Sequence, residues 1–318
     1  MSAERAAAVV AVDVGGTTIK GLAASTEGDV LDRLVVQTPR GGEAVYRSLV
    51  AVVEGLRKRA DARGRELAAV GIASPGLVDG HAGVVHLASN LGWTDFALAK
   101  RLSEQFGIAA VLENDARSGA IAERVVGSGS EDMVFVPIGT GVSAAFVVGG
   151  ALAVGATSSA GEFGHVRVIE NGEPCTCGSF GCVEAYASAS SLLSRSQRLG
   201  GRATSTPELV TLLGVDPVAD MVWADAVDAL TRGLAALVTI LDPQRIVLGG
   251  GLSLAGDALL EPVRRGLAAQ LTWRSAPPVV ASQLGADSTL IGAAISAGVS
   301  GPGSALRLSH GLRSRVAA

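Results

Sequence analysis

Short apolar runs alternate along the chain with longer stretches whose apolar residues recur at helical spacing. Mainly apolar runs cover Val9–Val14, Leu67–Ala73, Ala109–Leu112, Met133–Ile138, Gln244–Leu248 and Pro277–Val280. Such runs are typical of strands that are buried on both faces. Helical spacing covers Gly42–Arg63, Ala116–Val126, Ala187–Leu199, Asp220–Leu241, Leu259–Leu271 and Leu290–Ala297, and Thr94 is the expected N-cap of a further helix that runs to Gln105. Strands that alternate with helices in this way predict an α/β fold.

Two hairpins of similar pattern occur far apart in the chain. Val9–Val14 leads through the turn Gly15–Thr18 into an apolar strand, and Met133–Ile138 leads through Gly139–Gly141 into another. The repeat of strand, glycine-threonine turn and strand indicates an internal duplication. Each half is then expected to offer one phosphate-facing hairpin to a shared central cleft.

The first of these turns has the composition of a phosphate site. Asp13 leaves the strand just before it, the glycines let backbone N–H groups approach an anion, and Thr17 and Thr18 add hydroxyl donors. A carboxylate in the position of Asp13 can hold Mg2+, usually through water. An ordinary glycine hairpin with a solvated aspartate has the same pattern, and the residues from Asp13 to Lys20 leave both interpretations open.

Polar or glycine-rich residues follow two further buried strands. The triplet Glu113–Asp115 stands at the end of one, and ligands bind at that end in open α/β sheets. Asn114 or Asp115 is equally placed to be the N-cap of the next helix, an alternative that the triplet alone does not exclude. Gly249–Gly251 follows another strand and precedes a helix, which is a nucleotide-like environment although an unspecific pattern.

All three cysteines of the chain and one of its four histidines lie within Ala160–Ser188. Three sulfur ligands and one imidazole suit a closed, tetrahedral structural zinc site, formed here by His165, Cys175, Cys177 and Cys182. The alternative is that these side chains are buried without a metal. Glu162 and Glu184 flank the set, so zinc is expected to tie down a loop whose polar side chains face a substrate.

Composition excludes several classes of function. The 318 residues are enough for two domains with their own cores, and the net charge of −4 gives no surplus for binding nucleic-acid phosphates. Met133–Gly161 carries no formal charge, but Pro137 and repeated glycines interrupt it, so two strands explain it better than a membrane span. The N-terminus lacks the pattern of a signal peptide, and cysteines so close together make a poor disulfide framework, so the reducing cytoplasm is the expected compartment.

The order of these motifs resembles the ROK family (repressor, open reading frame, kinase), and within it the bacterial glucokinases. The resemblance covers about Val9 to Ala297 and is carried by the motifs above together with Pro75–Asp79, Gly181 and Asp242–Pro243. It implies a two-lobed hexokinase- and actin-like (ribonuclease H-like) duplicated fold with a central cleft and a structural zinc loop. The lobes are expected over residues 1–117 and 118–287, with a helix over 288–300 packing back on the first lobe and a mobile tail over 301–318.

Members of this family phosphorylate the 6-hydroxyl of hexoses or N-acetylhexosamines with ATP and Mg2+, so the resemblance implies a glucokinase-like sugar kinase with Asp115 as catalytic base. The residues that it implies for sugar binding are Asn114, Asp115, Glu162, His165 and Glu184, with Asn90 as a further candidate. Those that it implies for Mg-ATP are Asp13 for the metal, Gly15, Gly16, Thr17, Thr18, Lys20, Gly139, Thr140 and Gly141 for the phosphates, and Gly249, Gly250 and Gly251 for the adenosine. A homodimer or homotetramer is the implied assembly.

The second glycine turn departs from the family pattern, because relatives continue it with glycines and this chain continues with Val142–Ala145. Either the added Cβ atoms push the backbone away from the phosphates, or Ser143 supplies a hydroxyl donor, so ATP and polyphosphate both stay open as donors. A catalytically weak sugar-binding protein is therefore one alternative. A sugar-responsive repressor is not expected, since it needs a helix-turn-helix domain and only about eight residues precede Val9. Glucose, mannose, N-acetylglucosamine and N-acetylmannosamine all stay open as the sugar.

Overall fold

The computed structural model describes residues 6–128, 130–299 and 301–316. The chain divides into two compact units. Unit 1 consists of Met1–Gly129, Val154–Ser159 and Asp287–Ala318, and unit 2 consists of Ser130–Ala153 and Ala160–Ala286. None of the helices within the described ranges is long and apolar enough to cross a membrane.

Strands and helices alternate through both units. The strands are β1 (Ala6–Val14), β2 (Thr18–Ser25), β3 (Val30–Gln37), β4 (Arg65–Ser74), β5 (Leu77–Asp79), β6 (Val84–Ala88), β7 (Trp93–Phe96), β8 (Ala109–Asn114), β9 (Met133–Pro137), β10 (Ala145–Val148), β11 (Ala151–Leu152), β12 (Arg245–Gly249) and β13 (Val279–Ala281). The helices are α1 (Gly42–Asp61), α2 (Leu98–Phe106), α3 (Asp115–Val126), α4 (Glu184–Ala187), α5 (Ala189–Arg198), α6 (Thr206–Thr211), α7 (Pro217–Leu241), α8 (Asp257–Gln270), α9 (Ser288–Ser296) and α10 (Gly301–Val316).

The main sheet of unit 1 has the strand order β3-β2-β1-β4-β8. β1 is antiparallel to β2 and parallel to β4, and β4 is parallel to β8. In this register Asp13 lies beside Ala73, and Ser74 lies beside Asn114. Because parallel strands end at a common edge, Asp13, Ser74 and Asn114 follow one another along the edge where α/β sheets bind ligands.

The sheet of unit 2 repeats this topology. Its order is β11-β10-β9-β12-β13, with β10 antiparallel to both β9 and β11, and with β12 parallel to β9 and β13. In both sheets the first strand of the unit is central, the second and third form hairpins on one side, and two parallel strands complete the other side. The duplicated α/β fold predicted from the two glycine turns is confirmed.

Each unit has a hydrophobic core in which a long helix packs against its sheet. α1 contacts β1–β4 and buries Val45, Leu49, Val52, Val53 and Leu56. α7 of unit 2 buries Val222, Trp223, Leu230, Leu234 and Val238 in the core that also contains β9 and β12. Burial of one such side chain stabilises the fold by about 1.5–3 kcal/mol. Packing of these helices therefore stabilises the two sheets, and the polar residues lie at the ends of those sheets.

The stretch before α2 forms a three-stranded antiparallel sheet, β5-β6-β7, that the sequence pattern does not show. Thr94 belongs to β7 and pairs with Leu87, so the expected N-cap at Thr94 is wrong, and α2 begins at Leu98. Trp93 explains the difference. Its buried ring donates from Nε1 to the Gly42 carbonyl at 2.9 Å, which holds this stretch as a strand.

Two expected boundaries also differ. The limit after residue 117 falls inside α3, yet all of α3 lies in unit 1, because this helix packs along α9. The two helices are so close that a Cβ on Gly292 would lie 1.8 Å from the Ser118 carbonyl oxygen. The expected mobile tail is wrong for residues 301–316, which form α10 and pack on α3 and α9 with Ala305, Leu308 and Leu312 buried. Residues 317–318 of that tail lie outside the described residues.

Candidate active site

The first glycine turn, at the β1–β2 hairpin, has a fixed backbone. The Gly15 N–H donates to the Thr18 carbonyl at 3.0 Å, and the Thr38 hydroxyl donates to the Gly15 carbonyl at 2.6 Å. The Thr38 N–H donates to the Thr17 carbonyl at 2.9 Å. A Cβ on Gly15 would lie 2.9 Å from the Thr18 carbonyl oxygen, so the turn needs glycine there. Its shape is therefore determined before any ligand binds.

Four of the predicted site residues meet at this turn. Lys20 Nζ lies 3.5 Å from Asp13 Oδ2. Burial raises the pKa of the Asp13 carboxyl, the Lys20 ammonium opposes that shift, and the Asp287 carboxylate adds to it. The Asn90 amide covers the turn, since a Cβ on Gly16 would lie 3.0 Å from Asn90 Nδ2. A half-buried carboxylate beside small residues is a donor that fits Mg2+.

Asn114 and Asp115 lie two strands further along the same edge, at the start of α3. Asn114 is the N-cap: its Oδ1 accepts from the N–H groups of Ala116 and Arg117 at 3.0 and 3.2 Å. Its Nδ2 donates to the Gly76 carbonyl at 3.1 Å, which leaves one amide hydrogen for a ligand. The capping alternative raised by the sequence is thus correct for Asn114.

Asp115 is the first residue of α3 and is half-buried. Its Oδ1 accepts from the Ala116 N–H at 2.8 Å, and its carbonyl accepts from the Thr289 hydroxyl at 3.4 Å. A helix N-terminus favours a negative charge. The start of its own helix therefore holds the carboxylate, and α9 holds the Asp115 backbone, at the ligand-binding end of β8.

Sequence reasoning did not identify Arg117, although it is one of the largest fully buried side chains in the described residues. It lies one turn after Glu113, and its Nε donates to Glu113 Oε1 at 2.6 Å. The signal was present in the sequence, because Arg117 is the single charge in a run of small residues from Ala116 to Ala120. A charge on a helix face that is otherwise made of small residues indicates a buried partner.

The second glycine turn, between β9 and β10, is held by Glu184 and α5. Glu184 Oε2 accepts from the Val142 N–H at 2.9 Å, and the Ala189 N–H donates to the Gly139 carbonyl at 2.8 Å. The Ser190 hydroxyl donates to the Thr140 carbonyl. Glu184, which the family resemblance implies as a sugar ligand, thus also fixes the backbone of a predicted phosphate turn.

The three glycines after β12 lie against this second turn. The Ile138 N–H donates to the Gly249 carbonyl, and the Leu252 N–H donates to the Ile138 carbonyl, both at 3.0 Å. Gly250 has φ 73°, and a Cβ there would lie 2.4 Å from the Ile138 carbonyl oxygen. The structure therefore brings together the residues predicted for the phosphates and the adenosine within unit 2.

Ala144 and Ala145, which follow the second turn, do not obstruct it. Ala144 and Ala145 are only 2% and 1% exposed. Ala144 belongs to the core of unit 2, and Ala145 pairs with Phe135 in the β9–β10 ladder. Their methyl groups pack inside the unit, so they leave the exposed backbone of Gly139–Gly141 accessible.

The predicted metal ligands form one cluster in unit 2. The ligand atoms of His165, Cys175, Cys177 and Cys182 all lie within 4.8 Å of one another. Cys175 Sγ lies 3.7 Å from His165 Nδ1, and Cys177 Sγ lies 3.8 Å from Cys182 Sγ. Zinc bonds of about 2.3 Å to sulfur and 2.0–2.1 Å to nitrogen give tetrahedral edges of about 3.8 and 3.6 Å, so the spacing fits zinc.

The protonation of the cluster depends on whether a cation is bound. Burial and the neighbouring thiols raise the pKa of Cys182 to about 12. Three thiolates cannot coexist at this distance without a positive charge, and a metal deprotonates the thiols that bind it. His165 directs Nδ1 to the cysteines, and its Nε2 lies 3.8 Å from Glu162 Oε2. The second nitrogen therefore faces a residue that was predicted to bind the sugar.

An ionic network that the sequence did not predict holds the cysteine loop. Glu173 accepts from Arg198 through both carboxylate oxygens, at 2.7 and 2.6 Å, and from Arg195 at 3.4 Å. Its N–H donates to the Tyr186 hydroxyl at 2.7 Å, and the Arg195 guanidinium lies over the Tyr186 ring. These contacts lower the pKa of Glu173, chiefly through Arg198, against the opposing effect of burial. They attach the loop to α4 and α5.

The predicted residues are divided between the two units. Unit 1 contains Asp13, Gly15, Gly16, Thr17, Thr18, Lys20, Asn90, Asn114 and Asp115. Unit 2 contains Gly139, Thr140, Gly141, Glu162, His165, Cys175, Cys177, Cys182, Glu184, Gly249, Gly250 and Gly251. Each unit thus brings together a glycine turn at the end of its first strand and polar side chains of the kind that bind a sugar.

Known proteins share this arrangement over nearly the whole chain. The model of the ROK family matches residues 9–298. A glucokinase of Streptomyces coelicolor is 33% identical over 311 residues, which cover 90% of this chain and 96% of that enzyme. A kanosamine kinase of Amycolatopsis mediterranei is 35% identical over 297 residues, with 91% and 95% covered. The structure of a ROK family glucokinase from Streptomyces griseus, in complex with glucose and AMPPNP, matches with a TM-score of 0.79 at 31% identity and covers 91% of this chain and 99% of that one.

Proposed function

The chain belongs to the ROK family and is a sugar kinase, and we propose that it transfers the γ-phosphoryl group of ATP to the 6-hydroxyl of glucose. The observation that carries this proposal is the place of Asp115, held at the start of α3 at the carboxyl end of β8. The glucose and AMPPNP bound by the Streptomyces griseus relative support the choice of acceptor and donor.

Asp115 acts in this proposal as the general base. A sugar hydroxyl is a weak nucleophile, so a carboxylate that accepts its proton helps the oxygen to attack the γ-phosphorus. The bond to the β–γ bridging oxygen then breaks, and ADP leaves with that electron pair. The Ala116 N–H holds the carboxylate, and the Asn114 cap and the Thr289 hydroxyl hold the backbone that carries it, which supports a role that depends on position.

The remaining residues of this scheme bind the nucleotide and neutralise the charge of its phosphates. The backbone N–H groups of the turns at Gly15–Thr18 and Gly139–Gly141, with Lys20, bind the phosphates, and Gly249–Gly251 lie at the adenosine. Asp13 would hold Mg2+, and the ion would supply positive charge against the phosphates when bound. The buried methyl groups of Ala144 and Ala145 support phosphate binding at the second turn, because they leave it accessible.

Sugar recognition is assigned to Asn90, Asn114, Glu162, His165 and Glu184. Side chains that pair with sugar hydroxyls discriminate strongly, because an absent hydroxyl leaves a buried polar group unpaired. The tetrahedral spacing of the cysteine cluster supports zinc as a structural ion, with four protein ligands and no open position for catalysis. His165 would give Nδ1 to the zinc and keep Nε2 for the sugar. A homodimer or homotetramer is the assembly proposed with this function.

The test is ADP release across glucose, mannose, N-acetylglucosamine, N-acetylmannosamine and kanosamine, with ATP and polyphosphate as donors. We expect the highest kcat/KM with glucose and ATP. The variant Asp115→Asn should lower kcat by about 10²–10⁴-fold, the usual contribution of a general base. Asp95→Asn, at an exposed aspartate of β7, is the control and should keep wild-type activity. Absence of ADP release with every sugar, or full activity of Asp115→Asn, overturns the proposal.

An amino sugar is the second candidate acceptor. It is supported by the 35% identity to the kanosamine kinase, which is as high as the identity to the glucokinases. The same panel separates the two candidates, because a kcat/KM for kanosamine or an N-acetylhexosamine above that for glucose assigns the enzyme to the amino sugar. Zinc content and oligomeric state are measured on the same preparation.

A further inference from the structure

Arg117 is 2% exposed and makes hydrogen bonds in three directions. Its Nε donates to Glu113 Oε1 at 2.6 Å, one terminal nitrogen donates to the Val78 carbonyl at 2.5 Å, and the other donates to the Ser158 carbonyl at 3.1 Å. Arginine is rarely buried to this extent unless it is fully paired. The cost of burying this charge is therefore balanced by a specific arrangement of partners.

The three partners come from three separate segments of unit 1. Glu113 ends β8 and also accepts from the Asn114 N–H at 2.7 Å, Val78 lies in β5, and Ser158 lies in the segment 154–159. A planar guanidinium presents its donors in a fixed fork, so it fixes the directions of its partners as well as their distances. Arg117 is thus the point where β5, the start of α3 and the segment 154–159 are joined. Asp115 lies between Glu113 and Arg117.

The contact between Arg117 and the segment 154–159 joins the rest of unit 1 to a part of the chain that is flanked by unit 2. The chain before and after this segment belongs to unit 2, whereas the segment itself belongs to unit 1. Ser158 has φ 57°, a left-handed conformation that a serine keeps only when its surroundings hold it. The hydrogen bond from Arg117 to the Ser158 carbonyl joins this strained residue to α3.

We propose that Arg117 is a positioning residue for phosphoryl transfer. Its fork holds the first turn of α3 against β5 and the segment 154–159, and so keeps the Asp115 carboxylate in line with the hydroxyl that it deprotonates. This inference rests on the proposed function of Asp115. A displacement of about 1 Å at a reacting group costs as much as about 100-fold in rate, so small shifts of α3 are enough to matter.

A simpler role for Arg117 is to neutralise Glu113, whose side chain is 18% exposed. The two roles are separated by a pair of variants. Arg117→Met keeps the length of the side chain but leaves Glu113 as an uncompensated charge, so it lowers both stability and activity. Glu113→Gln combined with Arg117→Met removes both charges, while the glutamine oxygen can still accept from the Asn114 N–H. Any loss of activity that persists in the double variant is then due to the missing hydrogen bonds of the guanidinium group.

The experiment compares four proteins: wild type, Arg117→Met, the double variant and Arg117→Lys. Each is measured in thermal unfolding, in steady-state kinetics and in hydrogen exchange of residues 154–159. We expect the double variant to regain much of the melting temperature lost by the single variant. Its kcat should stay about 10–100-fold below wild type with little change in the KM values, as for a group misplaced at the reacting centre. Arg117→Lys keeps the charge without the fork and should show the same loss of kcat.

Recovery of kcat by the double variant, or full kcat in Arg117→Lys, overturns the inference, because charge neutralisation alone then explains the residue. Hydrogen exchange gives a readout that does not need activity: residues 154–159 should exchange faster in the double variant than in wild type. Unchanged exchange also overturns the inference. If the wild-type protein phosphorylates no sugar, the proposed function fails, while the exchange result still decides whether Arg117 holds the segment.

Discussion

At the scale of single residues, the side chains of Asn114 and Glu184 each hold a backbone segment by hydrogen bonds, and each is also proposed to bind a ligand. Asn114 caps α3 through Oδ1 and holds the Gly76 carbonyl through Nδ2, while Glu184 accepts from the Val142 N–H. A cap and a site residue are alternatives when the sequence is considered alone, but the Asn114 side chain has groups for both, because it caps α3 and keeps one amide hydrogen for a ligand. The isolated charge of Arg117 was visible in the sequence, but its partners Val78 and Ser158 could not be predicted, because they lie about 40 residues away on either side.

Gly250 gives a test of backbone conformation at this scale. It has φ 73°, and an added Cβ would lie 2.4 Å from the Ile138 carbonyl oxygen, whereas a Cβ on Gly251 meets nothing within 4 Å. Gly250→Ala should lower the free energy of unfolding by roughly 1–3 kcal/mol, the usual cost of a strained residue. It should also raise the KM for ATP, because the strand end beside the second glycine turn must shift.

The matched control is Gly251→Ala, which should change the free energy of unfolding by less than about 0.5 kcal/mol. Urea denaturation of the two variants measures this difference. Equal stability of both variants would show that the backbone at residue 250 tolerates a side chain.

At the scale of elements, the cysteine loop and α10 depart most from regular patterning. The loop has no long helix or strand, and the cysteine cluster and the Glu173 network hold it. The ligand set was visible in the sequence, because cysteine and histidine have few roles at such close spacing. α10 was not expected, because Gly301, Pro302 and Gly303 begin a stretch whose helix is stabilised by packing on α3 and α9.

Removal of the metal should destabilise unit 2. Cys182→Ser, at the buried ligand, should abolish stoichiometric zinc, measured by plasma mass spectrometry, and lower the melting temperature. A zinc ion held at 100 times its Kd contributes about 2.7 kcal/mol to stability, so the expected loss is at least of that order. Ser179→Ala, in the same loop, is the control and should keep both zinc and melting temperature. A zinc-free protein with an unchanged melting temperature contradicts a structural ion.

α10 is tested by two leucines on opposite faces. Leu308 is fully buried, whereas Leu306 is 44% exposed. Leu308→Ala should cost about 2–5 kcal/mol through the cavity it leaves, and Leu306→Ala should change stability by less than about 0.5 kcal/mol. Because α10 packs on α3, Leu308→Ala should also lower kcat. Similar stability of both variants would mean that α10 adds little to unit 1.

At the scale of the whole molecule, two sheets of the same topology each carry a glycine turn at the end of the first strand. This duplication was predictable, because the strand-turn-strand pattern occurs twice and its period is set by local sequence. The assignment of α3 to unit 1 was not predictable, since it depends on the close contact between Ser118 and Gly292, which are far apart in the chain. The small sheet β5-β6-β7 was also missed, because short strands leave almost no periodic signal.

Ligand binding gives the test at this scale. Glucose at 100 times its Kd should stabilise the folded protein by about 2.7 kcal/mol, seen as a rise in melting temperature. The analogue 6-deoxyglucose should stabilise it nearly as well, yet release no ADP, because it lacks the accepting hydroxyl. ADP formation with 6-deoxyglucose would show that a hydroxyl other than the 6-hydroxyl accepts the phosphoryl group.

The contact between Glu184 and the second glycine turn has one more consequence. Glu184 follows the predicted zinc ligand Cys182 by two residues, and its carboxylate holds the Val142 N–H beside Gly139–Gly141. The loop with the predicted zinc ligands and the turn assigned to the nucleotide phosphates are therefore joined directly within unit 2. We expect loss of zinc to weaken the binding of ATP by the enzyme. Zinc starvation of the cell should therefore reduce sugar phosphorylation even where glucose is abundant.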